Sequence, residues 1–242
     1  MASPQSSPAW RVTAPLVTGL AGFLLVTSAI SADGTDLRSS TTDLRTLLDQ
    51  RGRDVAVLQA QVTDLRDAVT ALSAQVDSSA VRAAQLDVRK LSPEAGLTAV
   101  RGAGLVVTLS DAPRSELASS GLDPNLLIVH QQDLQAFVNA LWTGGARAVS
   151  LQGQRLITTT GIKCVGNTVV LQGVPYSPPY RIVAVGAPAT LRKALDEAPA
   201  VVLYRQYVDR YRLGLDVVDA DAVIIPAYNG SPVLEHAAPL TP

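Results

Sequence analysis

A run of 21 residues without a charged side chain, 12–32, precedes a regular heptad pattern of Val and Leu, and the two together limit what the chain can fold into. A helix needs about 20 apolar residues to cross the hydrocarbon core of a bilayer. The run lies between Arg11 and Asp33, and we expect it to form a single transmembrane helix. The tail 1–11 then stays in the cytoplasm, and the C-terminal domain is extracytoplasmic at the cell membrane.

A cleaved signal peptide is the alternative for the same run. Small residues stand at the −3 and −1 positions of two cut sites, one ending at Ala29 and one at Ser31. The apolar run is long, however, and only Arg11 and the amino terminus supply positive charge ahead of it. We therefore favour an uncleaved signal anchor. Both interpretations place the rest of the chain outside the cytoplasm.

The heptad pattern predicts a coiled-coil stalk over 33–91. Val occupies each a position and Leu each d position of the dimer seam: Val55, Leu58, Val62, Leu65, Val69, Leu72 and Val76. A β-branched residue at a with Leu at d favours parallel two-stranded coils. A straight helix of about 50 residues would reach about 80 Å from the bilayer, at 1.5 Å per residue.

Two alternatives to this stalk stay open. A single amphipathic helix folded back on its own domain would need a wider apolar stripe than an a/d seam. The e and g positions, such as Gln59, Gln61 and Ala68, carry few charges and encode no strong choice of partner. We expect a homodimer ahead of a heterodimer.

Composition excludes several classes of function. The formal net charge is −1, from 20 basic and 21 acidic residues, so no excess of positive charge attracts nucleic acid. The single cysteine, Cys164, excludes an intramolecular disulfide framework. Together with His130 and His236 it supplies too few ligands for a zinc site. We expect no metal and no cofactor.

The segment 97–225 predicts one extracytoplasmic α+β domain, and 226–242 a disordered tail. The residues 96–104 read as a hinge, followed by a strand at 105–109 and a loop to Pro124. Apolar residues at helical spacing predict a helix from Asp133 to Gly144. We expect further strands at 126–129, 148–151, 155–160, 168–172, 181–185 and 215–225, and helices from Pro188 and over 201–212. This order predicts a sandwich with a mixed sheet and helices covering one face, with a ferredoxin-like arrangement as the specific expectation.

Four polar segments, 127–134, 152–155, 160–167 and 176–180, resemble a bacterial family of uncharacterised proteins, domain of unknown function 881. The resemblance extends from the expected anchor through the last strand. It implies an envelope protein with a membrane anchor, a coiled stalk and an extracytoplasmic α+β domain. Members are commonly associated with cell-wall and division genes, and the family name implies no agreed activity. The same layout occurs in division-complex and secretion-platform subunits, which is an analogy of architecture only.

The polar segments also supply candidate binding residues. Gln, Asn and Arg side chains beside glycines can form a polar groove for a peptide, a glycan strand or a partner domain. The connection 176–180, with two prolines between tyrosines, is either a rigid contact loop or a plain crossover. The candidates are His130, Gln131, Asp133, Gln152, Gln154, Arg155, Lys163, Asn167, Tyr176 and Tyr180.

Three enzyme hypotheses rank below binding. A nucleophile pair of Cys164 and His130 would need the two to meet across the fold, with Lys163 lowering the thiol pKa. Cys164 lies in a strand-like run opposite Lys163, so we expect it to face the core as a small apolar residue. His130 with Asp133 fits a helix start better than an acid–base pair. The glycines around 102–104 and 161–166 lack the order of a nucleotide loop.

These inferences predict no catalysis. They predict a single-pass, dimeric scaffold or adaptor that acts through protein–protein binding in cell-wall or division assembly. A domain that senses a cell-wall fragment or a small metabolite is the alternative.

Overall fold

The computed structural model describes residues 15–24, 26–27, 40–165 and 168–231. Contacts divide the chain into two units, 1–49 and 50–242. In the first unit the described residues of 15–27 are helical and are called α1. The predicted anchor 12–32 therefore lies partly outside the described residues. Within the described ranges, no helix combines the length and apolarity that a bilayer crossing requires.

Two helices occupy the region of the predicted stalk. Helix α2 covers Ser40–Ala74, and α3 covers Ser79–Leu91. Between them, Gln75 N–H bonds Leu72 O at 3.0 Å in a tightened last turn, and Ser78 is extended at φ −134° and ψ 131°. Asp and Ser side chains compete with helical hydrogen bonds, so the sequence 75–78 favours a break. The helix is interrupted where we expected it to continue.

Helix α2 contacts its own domain. Arg66 Nη2 donates a hydrogen bond to Gly230 O at 3.0 Å. A Cβ added at Gly173 would lie 3.6 Å from Val55 Cγ2. These residues of α2 therefore adopt the folded-back arrangement, which was our alternative to an extended coiled-coil stalk.

The chain also changes direction at 75–78. Tyr228 N–H bonds Gly96 O at 2.8 Å, and a turn bond to Leu91 O keeps Gly96 close to the end of α3. A straight helix from Arg66 to Leu91 would span about 38 Å. Tyr228 is only two residues from the Arg66 contact, at most about 7 Å along the chain. The expected straight stalk of about 80 Å is therefore not the arrangement found.

In the described part of the chain, eight strands follow in two sheets. The larger sheet has the order β3-β2-β7-β1-β8, and the smaller has the order β4-β5-β6. The strands are β1 (Val100–Ser110), β2 (Ala148–Leu151), β3 (Gln154–Arg155), β4 (Ile162–Val165), β5 (Thr168–Leu171), β6 (Val174–Tyr176), β7 (Tyr180–Val185) and β8 (Gly214–Ile225).

Every strand pair in the described part of the chain is antiparallel, so the predicted mixed sheet is wrong. The reason is the path of the connections. Helix α5 (Gln131–Thr143) joins β1 to β2, and β7 lies between those strands. Helices α6 (Pro188–Glu197) and α7 (Pro199–Tyr211) join β7 to β8, and β1 lies between those. Each crossover skips one strand, which makes all neighbours run in opposite directions.

The main core lies between the larger sheet and the helices α5, α6 and α7, as predicted for helices covering one face. Alternate residues of β1 (Leu105, Val107 and Leu109) are fully buried against these helices. A second, smaller cluster lies on the opposite face and contains Ala148, Val183, Val185 and Ile225. Both faces of β2 and β7 are therefore buried.

Two turns repeat the sequence Leu-Gln-Gly. Gln152 and Gly153 close the β2–β3 hairpin with φ of 52° and 78°, and Gln172 and Gly173 close the β5–β6 hairpin with φ of 50° and 81°. Positive φ at both central residues is the type I′ geometry that matches strand twist. The second hairpin makes β6 a strand where we expected only a connection.

Three further differences lie near the start of the domain. Strand β1 begins at Val100 rather than Leu105, and a Cβ at Gly104 would overlap Ala184 O, so only glycine fits this close approach. A short helix, α4 (Arg114–Ser119), lies in the predicted loop. The predicted strand 126–129 is wrong: Pro124–Leu127 is a 3₁₀ helix capped by Asp123.

The predicted disordered tail is ordered over its described part. Tyr228 is buried at 8% exposure, and Pro226 O accepts a hydrogen bond from Arg155 Nη1 at 3.5 Å. Residues 232–242, including His236, lie outside the described residues.

Candidate functional site

His130 and Asp133 lie together at the start of α5. His130 N–H donates to Asp133 Oδ2 at 2.8 Å, and His130 Nδ1 lies 3.8 Å from the same oxygen. Asp111 Oδ1 accepts from Val129 N–H at 2.8 Å, one residue before the helix cap. Both carboxylates accept hydrogen bonds from backbone amides, and that of Asp133 does so as the third residue of a capped helix start.

Burial shifts the pKa of both carboxyl groups in this cluster. Desolvation raises the pKa of Asp111 and of Asp133 above the ordinary value, because a carboxylate is less stable away from water. The backbone hydrogen bonds and the nearby His130 act in the opposite direction and offset part of the rise.

Gln131 binds the edge of the smaller sheet. Strand β4 is terminal in that sheet. Gln131 Oε1 accepts from Cys164 N–H at 2.8 Å, and Gln135 Nε2 donates to Ile162 O at 3.5 Å. Residues four apart on a helix share a face, so the two amides act on β4 as a neighbouring strand would. We did not predict Gln135, although its spacing from Gln131 was a usable signal.

Strand β4 carries the remaining candidates of this region. Cys164 is half-buried and packs against the main core, while Lys163 is exposed and Val165 is 51% exposed. This alternation agrees with a structural thiol that points away from Lys163. Asn167 lies outside the described residues.

Gln152 anchors the predicted contact loop. Its Nε2 donates to Pro179 O at 3.2 Å and to Ser177 O at 3.5 Å, and its Oε1 accepts from Arg181 N–H at 3.1 Å. Both ends of the amide are therefore used by backbone of the 177–181 segment. The loop is held by a side chain of the β2–β3 turn.

The two predicted tyrosines complete this contact. Gln154 Nε2 donates to Tyr176 Oη at 2.6 Å, and Tyr180 Oη donates to Tyr176 O at 3.4 Å. Burial, with smaller contributions from the charges of Asp111 and Cys164, raises the pKa of Tyr180 to about 12. Tyr180 is fully buried, so it is a core residue and not a contact for a partner.

Arg155 lies on the other face of the larger sheet. It pairs with Ser150 across β2 and β3, and it is only 4% exposed. Its Nη1 donates to Thr98 O at 3.3 Å and to Pro226 O at 3.5 Å, while Nε is buried without a partner among the described residues. Burial lowers the pKa of the Arg155 guanidinium. Arg155 thus links the segments that precede β1 and follow β8.

The described candidates therefore occupy separate places rather than one groove. His130, Gln131 and Asp133 stabilise the start of α5 and the β4 edge, Gln152 and Gln154 hold the 176–181 segment, and Arg155 lies on the opposite face. A surface cavity of about 540 Å³ lies elsewhere and is lined by Pro113, Glu116, Val208, Asp209, Arg212 and Leu213. None of the candidate binding residues that the structure describes lines it.

Two exposed surfaces, the seam of α2 and the outer edge of β8, are candidate sites of a different kind. On α2 the seam residues Leu58, Leu65 and Leu72 are 59%, 65% and 62% exposed. Val69 and Val76 are exposed beside them. At the edge of the larger sheet, β8 exposes Val218, which lies between two aspartates, and Ile224, which follows the last one. Both surfaces are suited to contacts with another chain.

Comparisons with known proteins give a family match. The model of a family described as "Bacterial protein of unknown function (DUF881)" matches residues 87–238. The UPF0749 protein Rv1823 of Mycobacterium tuberculosis (strain ATCC 25618 / H37Rv) is 32% identical over 195 residues, which cover 79% of this chain and 61% of that protein. The UPF0749 protein YlxW of Bacillus subtilis (strain 168) is 35% identical over 116 residues, which cover 48% of this chain and 49% of that protein.

A solved structure is also similar. It is the crystal structure of an uncharacterized conserved protein from Mycobacterium tuberculosis, with 23% identity and a TM-score of 0.48. The similarity covers 64% of this chain and 99% of that one. Against the two curated relatives, this chain spans less than two thirds of their length.

Proposed function

The chain belongs to the bacterial family of unknown function DUF881, and we propose that it is a membrane-anchored, dimeric scaffold or adaptor of the cell envelope. In this role it acts through protein–protein binding in cell-wall or division assembly. The family description assigns no activity, so the proposal rests on the surfaces of the chain itself.

The exposed seam of α2 is the observation that carries the proposal. Leu58, Leu65 and Leu72 project from one side of the helix with most of their surface in solvent. Burying one such side chain contributes about 1.5–3 kcal/mol, so a second helix on this seam would gain several kcal/mol. Val at a and Leu at d favour a pair of parallel helices. A second copy of the chain supplies the same pattern.

The contacts of α2 with its own domain are compatible with this pairing. Gly52 and Arg66 are half-buried against the domain on another side of the helix from the d-position leucines. Val55, the first a position of the seam, is also half-buried against the domain, so the proposed pairing uses the seam from Leu58 onward. The intramolecular contacts therefore leave the d side free for a partner.

The uncharged run 12–32 supports the membrane part of the proposal, because its length matches a bilayer crossing. A single crossing would place the domain outside the cytoplasm. We also infer a ferredoxin-like frame for that domain. The order β2-β7-β1-β8 and the two helical crossovers support it.

A sensor of small ligands finds less support. It would need the polar candidates to converge on a cavity. The amides of Gln131 and Gln152 instead bond backbone groups, and the cavity described above is lined by other residues.

The seam is tested by paired charge substitutions in the full chain. Leu65→Lys with Leu72→Lys places four ammonium groups in the seam of a dimer, and we expect the dimer to dissociate because buried unpaired charges are costly. The matched control is Thr63→Lys with Thr70→Lys, two exposed positions on the same helix away from the seam. Light scattering in detergent measures the mass. A dimer that survives the Leu65 and Leu72 changes as well as it survives the control contradicts the proposal.

A further inference from the structure

Strand β8 leaves one long edge of the larger sheet open. It covers Gly214–Ile225 and is terminal in the sheet order. It pairs with β1 along almost its whole length, and no other strand in the described ranges pairs with its outer side. An open edge of 12 residues is longer than most strands. Proteins usually shorten or cover such an edge, because it is a template for another strand.

The hydrogen-bonding pattern identifies the outward backbone groups. Ala103 O accepts from Gly186 N–H at 3.0 Å, so the odd residues of β1 direct their backbone groups to β7 and the even residues to β8. The even residues of β8 up to Ala220 pair with those even residues of β1. Leu215, Val217 and Asp219 therefore direct their N–H and C=O groups away from the sheet.

The side chains of this edge define the chemistry of a partner. Asp216 and Asp221 are exposed and have no ion pair or hydrogen bond within the described part of the chain, and Asp219 pairs with Arg192. Val218, between Asp216 and Asp219, is 48% exposed, and Ile224, beyond Asp221, is 61% exposed. The strand itself contains no basic residue. Asp216 and Asp219 are three residues apart and lie on opposite faces of the sheet. An occupant with basic side chains on both of its faces, beside apolar ones, therefore matches the charge of this edge.

A second copy of β8 does not match. Two copies paired edge to edge would bring six aspartates together, and like charges on adjacent strands destabilise the pairing. Self-association is therefore opposed at this edge, whereas it is unopposed at the α2 seam. The edge is only partly covered. Among the described residues, Arg192 alone covers it: its Nη2 donates a hydrogen bond to Val217 O at 3.4 Å, and its guanidinium pairs with Asp219.

We propose that β8 binds an extended, basic segment of a partner protein by strand addition, with the partner's Lys or Arg side chains on Asp216 at one face of the sheet, on Asp219 at the other face and on Asp221 at the bulge. The partner's cation competes with Arg192 for Asp219. Displacement of Arg192 frees Val217 O to accept a hydrogen bond from the partner strand. This inference names the docking surface of the proposed scaffold and rests on that function. It does not depend on the α2 seam, so the two are tested separately.

The test uses the full chain in detergent and a synthetic peptide of about eight residues, in which pairs of Lys alternate with pairs of Val so that both faces of the strand carry Lys. We expect binding by fluorescence anisotropy. In hydrogen exchange, we expect new protection at the amides of Leu215, Val217 and Asp219. Peptides with Glu in place of Lys, or with Pro in place of Val, should not bind, because the first reverses the charge and the second removes ladder donors.

Two variants of β8 test separately the contribution of backbone pairing and the contribution of the aspartate charges to peptide binding. Val217→Pro removes one outward N–H and leaves the inward ladder intact, and it should weaken binding about tenfold or more. Asp216→Asn with Asp221→Asn keeps the backbone and should also weaken binding. Asp64→Asn with Asp67→Asn makes the same change of charge on α2 and is the control.

Three results overturn the inference. The first is no binding of the Lys–Val peptide by the folded wild-type chain. The second is equal binding of the Lys–Pro peptide, or binding unaffected by both β8 variants, since either outcome means charge attraction without strand addition. The third is protection of the Leu215, Val217 and Asp219 amides before any peptide is added, since another segment or a second copy then covers the edge. Each leaves the α2 dimer test unaffected.

Discussion

At the scale of residues, the polar side chains of this domain bond backbone. Gln131 accepts from Cys164 N–H, Gln152 accepts from Arg181 N–H, and Asp111 accepts from Val129 N–H. An unpaired backbone group in the interior costs about 1–3 kcal/mol, so each of these side chains stabilises a bend or an edge. Polar residues near glycine turns in the sequence therefore indicated irregular backbone whose N–H groups need hydrogen-bond acceptors.

Asp111 gives a prediction about pH. Its pKa is raised in the folded protein by burial, so the folded state holds the proton more tightly than the unfolded state. The resulting stabilisation is present below the ordinary carboxyl pKa and is lost as pH rises through the folded pKa. Asp111→Asn keeps an oxygen for Val129 N–H and removes the charge. We expect a higher free energy of unfolding than wild type at pH 7, and a difference that shrinks towards about pH 4.

Urea unfolding at the two pH values measures this difference. Asp87→Asn on the exposed face of α3 is the control for a change in net charge. A loss of stability in Asp111→Asn at neutral pH would mean that the charge strengthens the bond to Val129 by more than burial weakens it.

At the scale of elements, length and periodicity decided what the sequence could predict. Helix α5 and strands β2, β5, β7 and β8 were predicted within a few residues, because apolar spacing extends along each. The short elements α4 and β6 were missed, since six and three residues carry too little pattern. The break at 75–78 was missed because the heptad of Val and Leu continues up to Val76.

The sheet order and the candidate site were harder to predict for a related reason. The order of strands in a sheet depends on where each connection places the next strand. The spacing of apolar residues within one element carries no information about that placement. The same holds for Gln131 and Arg155. Their residue types suggested polar contacts. Only the fold brings Cys164 N–H close to Gln131 and Thr98 O close to Arg155.

Gln131 gives a prediction at this scale. Its amide protects the free edge of β4, and Gln131→Ala leaves Cys164 N–H without its partner. We expect a loss of about 1–2 kcal/mol in the free energy of unfolding, with faster amide exchange at Cys164. Gln132→Ala is the control, because Gln132 is the exposed neighbour on the same helix. Equal stability of the two variants would show that water replaces the Gln131 amide at no cost.

At the scale of the whole molecule, α2 and the domain meet at one end of the β1–β8 pair, where Val100 pairs with Ile225. Thr98 precedes β1, and Pro226 follows β8. Tyr228 bonds Gly96, and Gly230 bonds Arg66 of α2. The segment 226–231 therefore lies between helix and sheet, and Arg155 fastens it from the sheet side. A partner that pulls on α2 would act on this segment first.

Arg155 carries the last prediction. Arg155→Ala removes two hydrogen bonds from a charged donor and leaves a space where a 4% exposed side chain had been. Arg155 has no carboxylate partner among the described residues, so its own desolvation offsets part of what those bonds contribute. We expect a loss of about 2–4 kcal/mol in the free energy of unfolding. Because the lost bonds hold Thr98 and Pro226, the Tyr228 amide should exchange faster by more than the global loss explains. Arg147→Ala, an exposed arginine on the same side of the sheet that bonds Arg101 O, is the control. If Arg155→Ala unfolds at the wild-type urea concentration, the segment 226–231 is held by Tyr228 and Arg66 alone, and Arg155 does not couple helix and sheet.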